Sequence, residues 1–135
     1  FTPLYMVRRL RFISGEPVGI LTSYIPSALA PALKAGDFTE TGACQSMYYV
    51  LEHLHGIKLV RASETFRAVA LDAEGARLLR MPLHSAVLMR SRVTYDSTGR
   101  AAALEHGLYR SVYRLEWSGR GVSAIDTSSL AEELP

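Results

Sequence analysis

Residues 4–25 alternate in character almost without a break, and the alternation is interrupted once, at Ser14-Gly15. A period of two belongs to an extended strand half-buried against a core, and glycine in a short break supplies the positive φ of a tight hairpin. The stretch therefore predicts two antiparallel strands, 4–13 and 17–25. In the first strand Leu10 and Phe12 point one way, while Val7, Arg9, Arg11 and Ile13 point the other. Two guanidiniums thus share one sheet face with apolar neighbours.

Strand signals continue downstream. "KLVRASETFRAVAL" (58–71) reads as a long strand with Val60, Ala62, Phe66, Ala68 and Ala70 on one face. Residues 86–96 and 101–110, joined by "STGR", read as a second hairpin, and 112–117 as a further strand. Helical periodicity is confined to short pieces. Met47, Val50, Leu51 and Leu54 follow the i, i+3, i+4, i+7 pattern of a helix over 44–55, ended by Gly56. Asp72 caps a helix over 73–80, which Pro82 stops, and Ser27 and Gly36 bracket a turn or two of helix over 27–35 that Pro31 limits. Beyond Gly119 the residues become small and polar, and 119–135 reads as a loosely held tail. Hairpins with segregated helices mean an α+β fold, not a parallel α/β one.

Composition narrows the function. A chain of 135 residues, 48% of them apolar, suits one domain with a proper core. A formal net charge of +2 without a basic block does not mark a nucleic-acid binder. The single cysteine, Cys44, rules out an internal disulfide, fits a reducing cytoplasm and reads as packing. No apolar run approaches the ~20 residues of a membrane span. His53 and His55 are two apart and fall on different helix faces, there is no cysteine pair, and no glycine-rich phosphate loop occurs, so neither a metal nor a cofactor is expected. Nothing commits the chain to catalysis.

Attention returns to Arg9 and Arg11. Like charges on one strand face repel unless an anion or an acidic side chain lies between them. One solution is bridging to Glu64 or Glu105, or a solvated face; the other is an anion-binding pocket, since arginine holds carboxylate and phosphate bidentately. The start of the central helix, "CQSMYY", adds free N–H groups and the Ser46 and Tyr48 hydroxyls, although Ser46 also suits a cap and Tyr48 also suits packing.

Four stretches, "RLRFISGEPVGILTSYIP", "SMYYVLEHLHGIKLVRASETFRAV", "AVLMRSRVTYDSTGR" and "YRSVYRLEW", resemble the UTRA effector-sensing domain of GntR-type transcriptional regulators of the HutC subfamily. The resemblance implies a chorismate lyase-like sheet of about six antiparallel strands with flanking helices, occupying residues 1–118. It further implies a homodimer in the cytoplasm, a small anionic effector such as a phosphosugar, and operator DNA bound only through an N-terminal winged-helix domain outside this chain. The start at Phe1, directly before a strand, suits a piece of such a longer protein. By that match Arg9, Arg11, Ser46 and Tyr48 form the anion clamp, and Tyr109 is the tyrosine of the family's Y-R motif. Two carboxylates of the family pattern are replaced here by Leu21 and Ala103, and Glu105, two residues beyond Ala103 on the same face, is the candidate substitute. A lyase-like enzyme on the same fold and a dimerisation module without a ligand are the alternatives.

Overall fold

The alternating segments form strands where their pattern places them. In the computed structural model, which describes residues 3–110, 114–118 and 121–125, β1 is Leu4–Ile13, β2 Glu16–Pro26, β3 Leu59–Ala70, β4 Ala86–Asp96 and β5 Ala101–Tyr109. These make one five-stranded antiparallel sheet in the order β1-β2-β5-β4-β3, and β6 (Arg114–Ser118) pairs with β7 (Gly121–Ile125) as a two-stranded ribbon. The fold is α+β, with five strands in the main sheet where about six were expected. The strand expected over 112–117 is described from Arg114, and β7 lies inside the segment read as tail. Its five residues are too short and too mixed with glycine and serine to stand out as a strand.

Turn chemistry sets the hairpins. Ser14 (φ 48°) and Gly15 (φ 79°) both take positive φ, the geometry whose twist matches the flanking strands. At the β4–β5 turn Asp96 Oδ1 accepts from Thr98 N (2.9 Å), Thr98 Oγ1 (2.7 Å) and Arg100 N (2.9 Å), and Oδ2 accepts from Arg100 Nε at 2.9 Å.

Two cores lie on opposite faces of the sheet. One gathers Ile25, Ala30, Leu33, Met47, Val50, Leu51, Ile57 and Ala103 beneath the 27–57 segment. The other joins Ile20 and Val87 to Leu71, Ala76 and Leu79 of α2 (Ala73–Leu79), whose N-cap Asp72 accepts from Gly75 N at 2.7 Å. Among the described residues no helix is long and apolar enough to cross a membrane.

The helices differ most from expectation. The helix over 44–55 is a single α-turn, α1 (Met47–Tyr49), that widens into a π-helix at Val50–Leu54 and is preceded by a 3₁₀ turn at Ala43–Gln45. The apolar spacing is met by the buried Met47, Val50 and Leu51 alone, and Leu54 is half exposed. Gly56 at φ 66° closes the segment, with Ile57 N donating to the Leu51 carbonyl. Residues 27–34 form turns and irregular chain, and a single 3₁₀ turn, Ala35–Asp37, follows. Ser27 spends its N–H and its hydroxyl on the Pro3 carbonyl, and Tyr5 donates to the Pro31 carbonyl at 3.0 Å, so tertiary bonds replace helical ones.

The Thr98 hydroxyl, followed by the Thr98 and Arg100 donors, lowers the Asp96 pKa to about 2 against the opposing effect of burial. A depressed carboxylate pKa contributes stability that is fully present above the unfolded-state value of about 4 and is lost as pH falls through the folded-state value. Urea unfolding measured between about pH 5 and pH 2 is expected to show a fall that Asp96→Asn flattens. Equal pH dependence in the two proteins would exclude Asp96 as the cause.

Candidate functional site

Antiparallel register carries a set of charged side chains onto the face beneath the 27–57 segment. Arg9 stands opposite Leu21, Leu21 opposite Gly107, and Gly107 opposite Arg90; in the adjacent row Ser23, Glu105, Arg92 and Glu64 are successive partners. Because side chains two apart share a face, Arg9, Arg11, Glu105, Tyr109, Arg90, Arg92 and Glu64 all project to the same side.

Their contacts form a chain. Arg92 donates through Nε to Glu64 Oε1 and through Nη1 to the Tyr48 hydroxyl at 2.7 Å, and the Thr94 hydroxyl donates to Tyr48 at 3.3 Å. Arg90 Nη1 lies 3.7 Å from Glu64 Oε1, and Arg90 Nη2 donates to Glu105 Oε1. Glu105 Oε2 accepts from the Ser23 hydroxyl at 3.1 Å and lies 3.9 Å from Arg9 Nη2. Arg9 Nη1 donates to the Gln45 carbonyl, its guanidinium sits 5.2 Å from the centre of the Phe38 ring, and Arg11 Nη2 donates to Gln45 Oε1 at 3.5 Å. Among the described residues, Nε of Arg9 is buried with no acceptor.

The two ends of the chain differ electrostatically. Burial alone would lower the Arg92 pKa, but the Tyr48 oxygen and Glu64 carry it above its ordinary value. Burial pushes Arg9 down, Glu105 only partly offsets this, and the neighbouring Arg11 lowers it further. Of these two arginines, Arg9 is the less compensated. Beside it, along the edge strand β1, opens a cleft of about 410 Å³ lined by Arg9, Arg11, Phe12, Phe38, Thr39, Glu40, Thr41 and Gln45, among others. Register shifts between Arg11 and Phe12, and Leu10 and Phe12 line the cleft along with the arginines. The outer wall is tied to the end of the π-helix by His55 Nε2, 2.8 Å from Asp37 Oδ2, and this hydrogen bond is the main reason Asp37 titrates below its ordinary value.

The residues singled out in the sequence are only partly brought together. Arg9 and Arg11 meet at Gln45 and line the cleft. Ser46 is exposed and caps α1, accepting from Tyr49 N at 3.3 Å. With α1 a single turn, little of the anion-binding character expected at a helix start is left there. Tyr48 bonds to Arg92 and Thr94, not to Arg9 or Arg11. Glu105 is buried within the ion-pair chain. Leu21 is buried between Arg9 and Gly107, and Ala103 belongs to the apolar core. Arg90, Arg92 and Gln45 were not anticipated. Arg90 and Arg92 repeat the spacing of Arg9 and Arg11, a signal present in the sequence, whereas Gln45 acts partly through its main chain and left none. Among the described residues no three His, Cys, Asp or Glu side chains gather as a metal would require.

The domain is thus an antiparallel α+β fold with an arginine-rich sheet face and a cleft along its edge strand. Residues 1–113 match the UTRA domain model. The chain is 31% identical over 111 residues to the HTH-type transcriptional repressor NagR of Bacillus subtilis, a match that covers 82% of this chain and 42% of that protein's length. Among solved structures it is similar to the effector domain of PhnF from Mycobacterium smegmatis (TM-score 0.68, 27% identity, 81% of this chain and 64% of that one). A GntR-family transcriptional regulator from Enterococcus faecalis shares the fold (TM-score 0.73, 23% identity, 84% and 81% covered). The chain belongs to the UTRA domain family.

Tyr109 owes its position to Gly107. A Cβ on Gly107 would meet Tyr109 Cε2 at 2.5 Å and Oη at 2.6 Å, so the ring lies back over a residue that must have no side chain. Gly107→Ala is expected to cost about 1–3 kcal/mol through overpacking. The same change in a Tyr109→Ala background is expected to cost much less. A double-mutant cycle by chemical denaturation measures the coupling, and additive effects would refute the close approach.

Proposed function

We propose that the cleft beside Arg9 and Arg11 binds a small anionic effector, and that the chain is the effector-sensing domain of a GntR-type regulator of the HutC subfamily. The observation that carries this reading is the state of Arg9. It is a largely buried cation whose nearest carboxylate among the described residues, 3.9 Å away, is already bound to Arg90, and whose Nε has no acceptor among them, beside an open cleft. A buried charge without a full counter-charge is costly, and an anion entering the cleft removes that cost. Arg9 and Arg11 currently spend donors on the main-chain and side-chain oxygens of Gln45. Anionic oxygens accept more strongly than an amide carbonyl, so an effector competes with Gln45 and acts on the 38–45 loop that carries it.

This reading agrees with the functions of the relatives. NagR is a transcriptional repressor of which this chain matches 42% of the length, and the PhnF structure is an effector domain. In the proposed regulator, a phosphosugar or small carboxylate bound here shifts the affinity of a separate winged-helix domain for its operator. The protein works as a cytoplasmic homodimer, as a repressor, without a cofactor and without catalysis. Ser46, Tyr48, Glu105 and Tyr109 belong to the proposed site as its helix-start, inner and floor residues, with Tyr48 and Glu105 acting through the ion-pair chain.

Calorimetry with inorganic phosphate, sugar phosphates and small carboxylates tests the clamp. A charge-assisted hydrogen bond is worth about 1.5–3 kcal/mol, so Arg11→Ala and Arg9→Ala are each expected to weaken an anionic ligand roughly ten- to a hundredfold. Tyr48→Phe is expected to have a milder effect, because its hydroxyl acts on Arg92. Arginine variants that bind as tightly as the parent would reject the assignment.

A further inference from the structure

The cleft is lined by four consecutive residues of β1, Arg9, Leu10, Arg11 and Phe12. Side chains of consecutive strand residues alternate between the two faces, so a cleft that touches all four follows the edge of the strand. Leu10 packs its side chain against the α2 core on the other face and reaches the cleft through its main chain. The direction of that main chain follows from two bonds at the ends of the pairing. Arg110 N donates to the Val18 carbonyl at 2.9 Å, so Val18 turns its peptide groups toward β5. By alternation Gly19 and Leu21 turn theirs toward β1, where they stand opposite Arg11 and Arg9. Ser27 N donates to the Pro3 carbonyl at 3.0 Å, which sets the same parity from the other end. Arg9 and Arg11 are therefore the residues bonded to β2, and the N–H and C=O of Leu10 point outward along the cleft. Among the described residues no strand pairs with β1 on that side.

An outward N–H and C=O are a template for one more strand. In antiparallel pairing the residue set opposite Leu10 exchanges both bonds with it, and its two neighbours stand opposite Arg9 and Arg11, about 7 Å apart. Opposed residues share a face. The neighbours thus project toward the two guanidiniums, and the central residue projects to the side of Leu10 and Phe12, whose ring is 52% exposed. Acidic side chains suit the outer positions and an apolar one the centre. A second copy of β1 is a poor occupant, because two such strands paired at Leu10 set Arg9 against Arg11 twice over. Glu40, on the outer wall, is exposed, and solvent screens it. The volume of about 410 Å³ is that of a small-ligand pocket.

We propose that the cleft receives a short extended peptide of acidic–apolar–acidic pattern, added to β1 as a strand through the main chain of Leu10. The inference rests on the reading of the cleft as the effector site and adds the class of ligand. The carboxylates of the peptide meet Arg9 and Arg11, and its amide groups pair with the strand edge.

Calorimetry on the 135-residue chain tests it with acetyl-Glu-Val-Glu amide, the reordered acetyl-Glu-Glu-Val amide, the first peptide N-methylated at valine, glutarate and inorganic phosphate. The peptides and glutarate all carry two carboxylates. N-methylation removes the N–H that the Leu10 carbonyl accepts and leaves the protein untouched. The alternating peptide is expected to bind about tenfold or more tighter than either altered peptide and than glutarate, and to slow hydrogen exchange at the Leu10 amide. A reordered or N-methylated peptide that binds as tightly would overturn strand addition. Glutarate or phosphate bound at least as tightly as the alternating peptide, and weakened by Arg9→Ala, would overturn it as well and leave the anion clamp standing. Leu10 exchange that is already slow without peptide and quickens on dilution would assign the edge to a second copy and reject the peptide. Binding of none of the probes would remove the peptide and the clamp together.

Discussion

A single constraint organises this domain: antiparallel register places Arg9, Glu105, Arg90, Arg92 and Glu64, from four strands, on one buried sheet face. A side-chain period of two leaves no freedom here, because a one-residue slip of any strand would send its charges to the opposite face. That opposite face packs α2 through Ile20, Val87, Leu71 and Leu79, and among the described residues its ion pair to α2, Arg8 with Glu74 at 2.8 Å, is solvent-exposed. The apolar cores and the ion-pair chain therefore fix register together. Charge enforces what the hydrophobic pattern proposes.

The chain of contacts is graded. At the β3–β4 end Arg92 is held by Glu64 and the Tyr48 hydroxyl, and its pKa is raised despite burial. Arg90 and Glu105 occupy the middle. At the β1 end Arg9 shares Glu105 at a distance, rests near the Phe38 ring and donates to a main-chain carbonyl. Compensation thus runs out at the edge of the sheet, where the cleft opens. A buried ion pair is weak evidence for stability, since apolar replacements often do as well. In the proposed reading the cluster at the sheet edge also serves binding, and the 38–45 loop, with Glu40 its one charged residue, is what an arriving anion displaces.

The strands were legible because period-two alternation, punctuated by Ser14-Gly15, Gly99 and Pro82, admits one interpretation. Helical content was overestimated for a physical reason. Met47, Val50 and Leu51 need only one and a half turns to reach the core, and a π-turn satisfies that as well as an α-helix does. At the site, Arg9 and Arg11 announced themselves as like charges among apolar neighbours. Their partners depended on pairing across strands 82 residues apart in sequence, as for Ser23 and Glu105, and no local pattern encodes that. Glu64 was named as a counter-ion for Arg9 and Arg11, and the sheet gives it to Arg92 and Arg90 instead, because β3 lies at the far edge from β1.

The central claim is that the under-compensated cation at the β1 edge awaits an anion. Anything that binds the folded chain and not the unfolded one raises its thermal midpoint in proportion to the logarithm of concentration. The most direct measurement is the melting temperature as chloride is exchanged for phosphate at constant ionic strength, in the parent chain and in Arg9→Ala/Arg11→Ala. The account requires a midpoint that climbs with phosphate in the parent and stays level in the double variant. A midpoint that follows ionic strength alone, or climbs equally in both, would contradict it.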